Sequence, residues 1–308
     1  MTKERIKIPS TDGINELNVV IWKPEGEAKE VLQIVHGMVE YIERYSDFAE
    51  YLTTRGFIVV GHDHLGHGYT VKDDSDLGYI AKKHGSDILV NDIYEVTKYI
   101  KEQYPSLPNH IMGHSMGSFL LRKYLTLYSN EVRSAIIMGT GFMPITLAGS
   151  AKVMAFFIKL FKGDRHRSGT LTKLSLGSYN KGFEEDGSGF NWLTRDKEIV
   201  KIHDKDKLAM FMFTVNGYNA LFDTLTHLAR WKDFDNVRRD LPILITSGSD
   251  DPVGDKGKGP KLVYDEFKKR GMQKVELVIY PGARHEIINE LERETTYKDI
   301  AEFLERNS

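Results

Sequence analysis

The chain of 308 residues contains no cysteine. This excludes a thiol nucleophile, a disulfide framework and any zinc site built on thiolates. It also suits a reducing compartment, and a cytoplasmic location is expected. Neither sign of charge dominates: 42 Lys and Arg stand against 44 Asp and Glu, a formal net charge of −2. No basic field therefore points to nucleic acid. A long apolar run is missing as well. About 18 consecutive apolar residues mark a membrane-spanning helix, whereas the longest apolar-leaning piece here, VMAFFIKLF (153–161), is broken by Lys159. The opening MTKERIKIPSTDG lacks the apolar stretch of a signal peptide. A soluble protein without a transmembrane segment is expected.

What is present suits a globular fold. Hydrophobic residues make up 41% and charged residues 28% of the chain, near the values of ordinary soluble domains. The length can bury a sizeable core, as one large domain or two small ones. ERIKIPSTDGINELNVVIW alternates polar and apolar residues around Asp12-Gly13 and reads as a hairpin, with Leu17, Val19 and Ile21 on one face. VLQIV (31–35) and FIVVG (57–61) are short apolar runs bounded by turn residues, as buried parallel strands should be. Between them, YSDFAEYLTTRG reads as a helix closed by Gly56.

Further helices are expected over 88–104, where Leu89, Ile93, Val96 and Ile100 form one face, and after residue 115. Strands are expected at 109–113, 134–140, 241–248 and 274–282, with helices through KLVYDEFKKRG and at the C-terminus. Strands alternating with helices imply an α/β fold, a mostly parallel sheet covered on both faces. Residues 143–232 break the rhythm with helical pieces and Gly/Ser/Asn-rich loops but no buried strand. They read as an insertion between two halves of one core, 1–142 and 233–308.

In a parallel sheet functional residues gather at the carboxyl ends of strands. There the chain carries HGMVEYIERY, GHDHLGHG, GHSMGS, SDDPVG and PGARHE. Gly113-His114-Ser115-Met116-Gly117 fits a G-x-S-x-G elbow, a strand turning sharply into a helix with the serine hydroxyl exposed. Side chains in place of the two glycines would clash in so tight a turn. A serine needs a base, and the base an orienting carboxylate. His285, just before the last helix, is placed to be the base. Asp251 is favoured as the acid because Pro252 stiffens its backbone, with Asp250 left as the alternative. An oxyanion needs two N–H donors; Met116, next to the serine, and Met38, in the His36-Gly37-Met38 turn, are the candidates. His62, His64 and His67 form an H-x-H-x2-H cluster, half of a metal site or a glycine-rich turn with internal hydrogen bonds. No partner ligand set accompanies them, and neither metal nor cofactor is expected.

These pieces together resemble the α/β-hydrolase superfamily and, within it, the monoacylglycerol lipase and lysophospholipase branch, grouped with serine aminopeptidase-like hydrolases. HGMVEYIERY matches that branch's HGxxEHxxRY, HDHLGHG its DxxGHG turn and GHSMGS its GHSMGG. The order Ser…Asp…His is also the order of this superfamily. The resemblance implies a Ser115-Asp251-His285 triad, oxyanion donors at Met38 and Met116, and a mostly helical cap or lid over 143–232. Two departures stand out: Tyr41 replaces a histidine, and Ser118 replaces a glycine.

A small-molecule ester with one acyl chain, of monoacylglycerol or lysophospholipid type, is the expected substrate. Tyr41, Phe156, Phe157, Phe190 and Trp192 are the expected substrate contacts. The apolar stretch around Phe156 and Phe157 suits an acyl tunnel, a transient membrane-surface contact, or plain packing of the cap. KGDRHRS (162–168) offers positive charge to an anionic head group, and EEDGSGFNWLTRD (184–196) a gating loop. Two other readings keep the triad: a short-chain carboxylesterase, or an aminopeptidase-like peptidase whose substrate ammonium meets Glu184, Glu185 and Asp186. A non-catalytic binding protein would be expected to have lost part of the triad.

Overall fold

In a computed structural model, which describes residues 1–184 and 187–308, the apolar runs assemble into one eight-stranded sheet. Its strands are β1 (Thr2–Pro9), β2 (Glu16–Lys23), β3 (Glu30–Val35), β4 (Phe57–His62), β5 (Asn109–His114), β6 (Ala135–Met138), β7 (Ile243–Gly248) and β8 (Val275–Tyr280). They lie in the order β1-β2-β4-β3-β5-β6-β7-β8. From β4 to β8 every neighbouring pair is parallel, while β2 runs antiparallel to β1 and to β4.

Nine α-helices complete the described chain: α1 (Ser46–Thr54), α2 (Gly85–Gln103), α3 (Met116–Tyr128), α4 (Ile145–Lys162), α5 (Gly169–Leu176), α6 (Lys197–His203), α7 (Val215–Ala229), α8 (Lys258–Lys269) and α9 (Arg293–Glu305). The period of two along each strand divides them into two layers. Val20, Trp22, Leu32 and Ile34 point to one face, where Phe48 and Leu52 of α1 and Ile300 and Leu304 of α9 cover them. Leu17, Val19, Ile21, Val31 and Val35 point to the other, under α2, α3, α7 and α8. The expected face of Leu17, Val19 and Ile21 is therefore present. Its counterpart, Val20 and Trp22, is buried too, because α1 and α9 cover that face of the sheet.

Differences from the expected boundaries have local causes. Helix α2 begins at Gly85, earlier than its apolar face suggests, because its first turn, Gly85-Ser86-Asp87, is polar or small. β6 stops at Met138 because Gly139 takes a left-handed φ of 59°.

Between β6 and β7 lie α4 to α7, and no sheet strand is present there among the described residues. Helix α7 packs against α2 and α3 as well as α4, and Leu221, Phe222 and Leu225 join the core of that layer. Helix α4 turns its small residues inward: Ala148, Ala151 and Ala155 are buried, at spacings that share one helix face. Its large residues face out, Phe156 being 59% and Phe161 80% exposed.

Candidate active site

Parallel register brings the loops after β3, β5 and β6 together. Val35 lies beside Gly113, and His114 beside Met138. At the end of β5 the chain bends through Ser115, whose φ of 53° and ψ of −122° fall in a region that costs a non-glycine residue about 1–3 kcal/mol. The flanking glycines make the bend possible. A Cβ on Gly117 would stand 2.0 Å from the Val35 carbonyl oxygen, and one on Gly113 2.4 Å from the Gly117 carbonyl oxygen. Ser115 N–H donates to Met138 O at 3.0 Å, and the Ser118 hydroxyl to Ser115 O at 2.6 Å. Ser118, one of the two departures from the family pattern, thus braces the elbow from within α3.

His285 Nδ1 lies 2.9 Å from Asp251 Oδ1. Asp251 is wholly buried, and its carboxylate also accepts from Val253 N–H (2.9 Å) and Ser247 Oγ (3.0 Å). Burial pushes its pKa up, but His285 and these donors outweigh burial and hold it below the usual aspartate value. Asp250 instead accepts from Ser249. The structure pairs Asp251, not Asp250, with His285.

Ser115 and His285 open on one cavity of about 390 Å³. Met38 and Met116 line it beside the serine, and Phe119, Leu176, Phe211, Leu221 and Phe222 give it apolar walls. Of three consecutive amides in the turn after β3, Gly37 N–H donates to Glu40 Oε1 and Val39 N–H to His67 Nε2 at 3.3 Å. Among the described residues, the Met38 N–H between them has no acceptor, nor has the Met116 N–H at the start of α3. Helix α3 also turns its positive end toward Ser115.

The expected substrate contacts divide. Phe190 and Trp192 line the cavity, and the Trp192 ring lies 5.1 Å from the His285 ring. Tyr41, Phe156 and Phe157 do not line it. The phenylalanines face outward because the alanine face of α4 is the one that packs inward. Tyr41 donates instead to Asp206 Oδ2 at 2.8 Å, joining the turn after β3 to the segment before α7. The segment at Trp192 is also bound to the base's loop: His285 N–H donates to Trp192 O (3.3 Å) and Glu286 N–H to Leu193 O (2.7 Å).

In KGDRHRS, Arg165 pairs with Asp76 at 2.8 Å and Arg167 donates to Met212 O and Ser75 O. Those contacts tie the loop to 75–76 and 212. Glu184 is exposed and does not line the cavity, and Glu185 and Asp186 lie outside the described residues.

Sequence reasoning missed a polar cluster at one end of the cavity: Glu40, Arg44, His114 and Glu286. Arg44 bridges Glu40 (3.0 Å) and Glu286 (2.8 Å), and His114 Nδ1 stands 3.3 Å from Glu40 Oε1. Burial opposes ionisation of both carboxyls, yet His114 and Arg44 keep Glu40, and Arg44 keeps Glu286, below the usual glutamate value. Burial likewise opposes a charged His114, but Glu40 more than offsets it and the pKa stands above the usual imidazole value. All four residues sit inside or beside the recognised motifs, which was the available signal; that they converge depends on the fold.

Of the three histidines at and after the end of β4, His64 and His67 are committed locally, while both ring nitrogens of His62 are buried without a hydrogen-bond partner among the described residues. His67 Nδ1 meets Leu65 O at 3.0 Å, and His64 Nε2 meets His36 O at 3.2 Å. Burial pushes His62 down to about 3 and His67 down to about 4. Asp63 accepts from the Ile42 and Tyr69 N–H groups and from Asn18. Among the described residues no group of three or more His, Asp or Glu is placed to hold a metal ion.

A family model described as serine aminopeptidase, S33, matches residues 26–292. A monoglyceride lipase homolog of Monkeypox virus is 34% identical over 281 residues, covering 91% of this chain and 90% of the relative. The monoglyceride lipase of Homo sapiens is 26% identical over 275 residues, covering 88% of this chain and 80% of the relative. A thermostable carboxyl esterase from Bacillus coagulans, solved in complex with glycerol, superposes with a TM-score of 0.91 at 25% identity, covering 99% of this chain and 98% of that one.

Proposed function

Because the chain belongs to the serine aminopeptidase S33 family of α/β-hydrolases and is an ester hydrolase of the lipase and esterase type, we propose that it cleaves esters of a single acyl chain through Ser115, His285 and Asp251. One observation carries this reading. A strained serine elbow and a histidine paired with the buried Asp251 open on the same apolar-walled cavity.

In the proposed reaction His285 takes the Ser115 proton as Oγ attacks the ester carbonyl. Asp251 fixes the Nδ1–H tautomer and stabilises the imidazolium that forms. Met38 and Met116 N–H receive the oxyanion. His285 then returns the proton to the leaving alcohol, and water that it activates hydrolyses the acyl-enzyme. No cofactor enters the scheme.

At about 390 Å³ the cavity is near the lower end of ligand-pocket volumes, which suits one acyl chain better than two. Its polar end sets the Glu40 and Glu286 carboxylates against the shared Arg44 guanidinium, with His114 beside Glu40, so neither carboxylate stands unpaired. That balance favours a neutral, hydroxyl-bearing alcohol, as in a monoacylglycerol, over the ammonium that an aminopeptidase must bind. Residues 143–232 act as the cap, and the outward face of α4 rests on the lipid surface that supplies the substrate.

The test is hydrolysis of p-nitrophenyl esters from acetate to palmitate, then of monoacylglycerol, lysophosphatidylcholine and aminoacyl p-nitroanilides, with Ser115→Ala as control. Cleavage of medium-chain esters and monoacylglycerol that vanishes in Ser115→Ala supports the reading. A strict preference for acetate moves the assignment to a short-chain carboxylesterase, and activity surviving Ser115→Ala overturns it.

A further inference from the structure

The turn after β3 holds an awkward backbone. Val39 has a φ of 57°, a conformation that is a genuine outlier for a β-branched residue. Something must hold it there. The turn also presses on the nucleophile, since a Cβ on Gly37 would meet Ser115 Cβ at 3.0 Å and Glu40 Oε1 closer still. A peptide group that relaxed here would rotate its neighbour, and an oxyanion donor is effective only when aimed before the charge develops.

Two anchors flank the Met38 amide. On one side the Glu40 carboxylate accepts from Gly37 N–H and is itself fixed by Tyr45 OH at 2.9 Å. On the other, His67 Nε2 accepts from Val39 N–H at 3.3 Å. The His67 ring is set for that role. Its Nδ1 lies 3.0 Å from the Leu65 carbonyl oxygen, an acceptor only, so Nδ1 carries the proton and Nε2 the lone pair. The ring is wholly buried, wedged between His36 at 5.2 Å and Phe213 at 5.3 Å between centroids. Burial holds it neutral, which preserves the lone pair.

Granting Met38 N–H the oxyanion role proposed above, we infer that His67 is a positioning residue for that donor, holding the Val39 peptide so that the Met38 N–H stays aimed at the reacting carbonyl. The histidine thus acts on the reaction from the loop after β4 and touches no substrate.

The test compares His67→Asn, His67→Gln and His67→Leu in the full chain. Each is assayed for p-nitrophenyl butyrate kinetics, inhibition by an alkyl trifluoromethyl ketone and thermal unfolding. Glutamine places an acceptor near the position of Nε2, asparagine only near Nδ1, and leucine none. Losing one oxyanion donor typically lowers kcat by about 10²–10³-fold. His67→Asn and His67→Leu should approach that loss with KM little changed and with ketone affinity falling in parallel, while His67→Gln recovers most of both. His62→Leu, in the same cluster but without contact to the turn's amides, should behave as wild type.

Equal kinetics for the asparagine and glutamine variants, or a change confined to KM, overturns the inference. So does failure of both the asparagine and leucine variants to fold, which would make His67 a folding residue. If Ser115→Ala keeps the activity, the underlying hydrolase reading has failed; if Ser115→Ala is dead and His67→Asn is not, only the role of His67 has.

Discussion

His285 Nδ1 and Asp251 Oδ1 lie 2.9 Å apart, and Asp251 is fixed from behind by Val253 N–H and Ser247 Oγ. Asp250, one residue earlier, turns to Ser249. Asp251→Asn is therefore expected to lower kcat by about 10⁴-fold through loss of the correct imidazole tautomer. Asp250→Asn should stay close to wild type. Steady-state kinetics on one soluble ester decide the matter, and similar losses in both variants would remove the distinction.

Glycine substitutions should separate by position. A Cβ on Gly117 has no room against the Val35 and His36 carbonyl oxygens, whereas one on Gly149 meets nothing within 4 Å. Gly149 lies within α4, where alanine favours the helix by about 0.8–1 kcal/mol. Gly149→Ala should raise the unfolding free energy by about that amount, and Gly117→Ala should yield no active folded protein. Urea unfolding of the first and soluble yield of the second are the measurements.

The outward face of α4 separates lipid contact from chemistry. Phe157 is 52% and Phe161 80% exposed, and neither lines the cavity. Burying such a side chain in an apolar phase yields about 1.5–3 kcal/mol. The double change Phe157→Ser, Phe161→Ser should weaken partitioning onto lipid vesicles by about tenfold or more and leave p-nitrophenyl butyrate hydrolysis unchanged. Unaltered vesicle binding would place lipid contact elsewhere.

Buried titratable groups set the response to acid. Burial pushes His36, His62, His64 and His67 below the usual histidine value. The unfolded chain takes up protons at these positions below about pH 6.5, and the folded chain does not. Their contribution to stability is therefore present above that pH and lost as pH falls. Asp63 and Asp92, pushed up to about 6 by burial, act the other way, binding protons in the folded chain first. Below about pH 6.5 the added support to His114 is already complete.

Four imidazoles outweigh two carboxyls, each unbalanced group being worth about 1.4 kcal/mol per pH unit. The urea midpoint should fall between about pH 7.5 and about pH 5. An equal or higher midpoint at the acid end would show that the imidazoles are not held neutral.

Much of this arrangement was legible in the chain alone. Strand periodicity gave the layered α/β fold, and Gly113 and Gly117 marked the elbow because a tight strand-to-helix turn admits no side chain at either. His285 and the pair of aspartates were readable as candidates because functional residues gather at the carboxyl ends of parallel strands. These are local constraints, and local sequence carries them.

Tertiary structure decided the rest. Whether Asp250 or Asp251 meets His285 depends on the path of one loop. The apolar stretch of α4 offered no orientation until the alanines Ala148, Ala151 and Ala155 packed against the core and turned the phenylalanines outward. The Glu40, Arg44, His114 and Glu286 cluster joins the turn after β3, the end of β5 and the loop after β8, and the hold of His67 on Val39 joins two loops. Contacts between residues far apart in the chain leave no period or spacing in the sequence, so only the folded structure brings them into view.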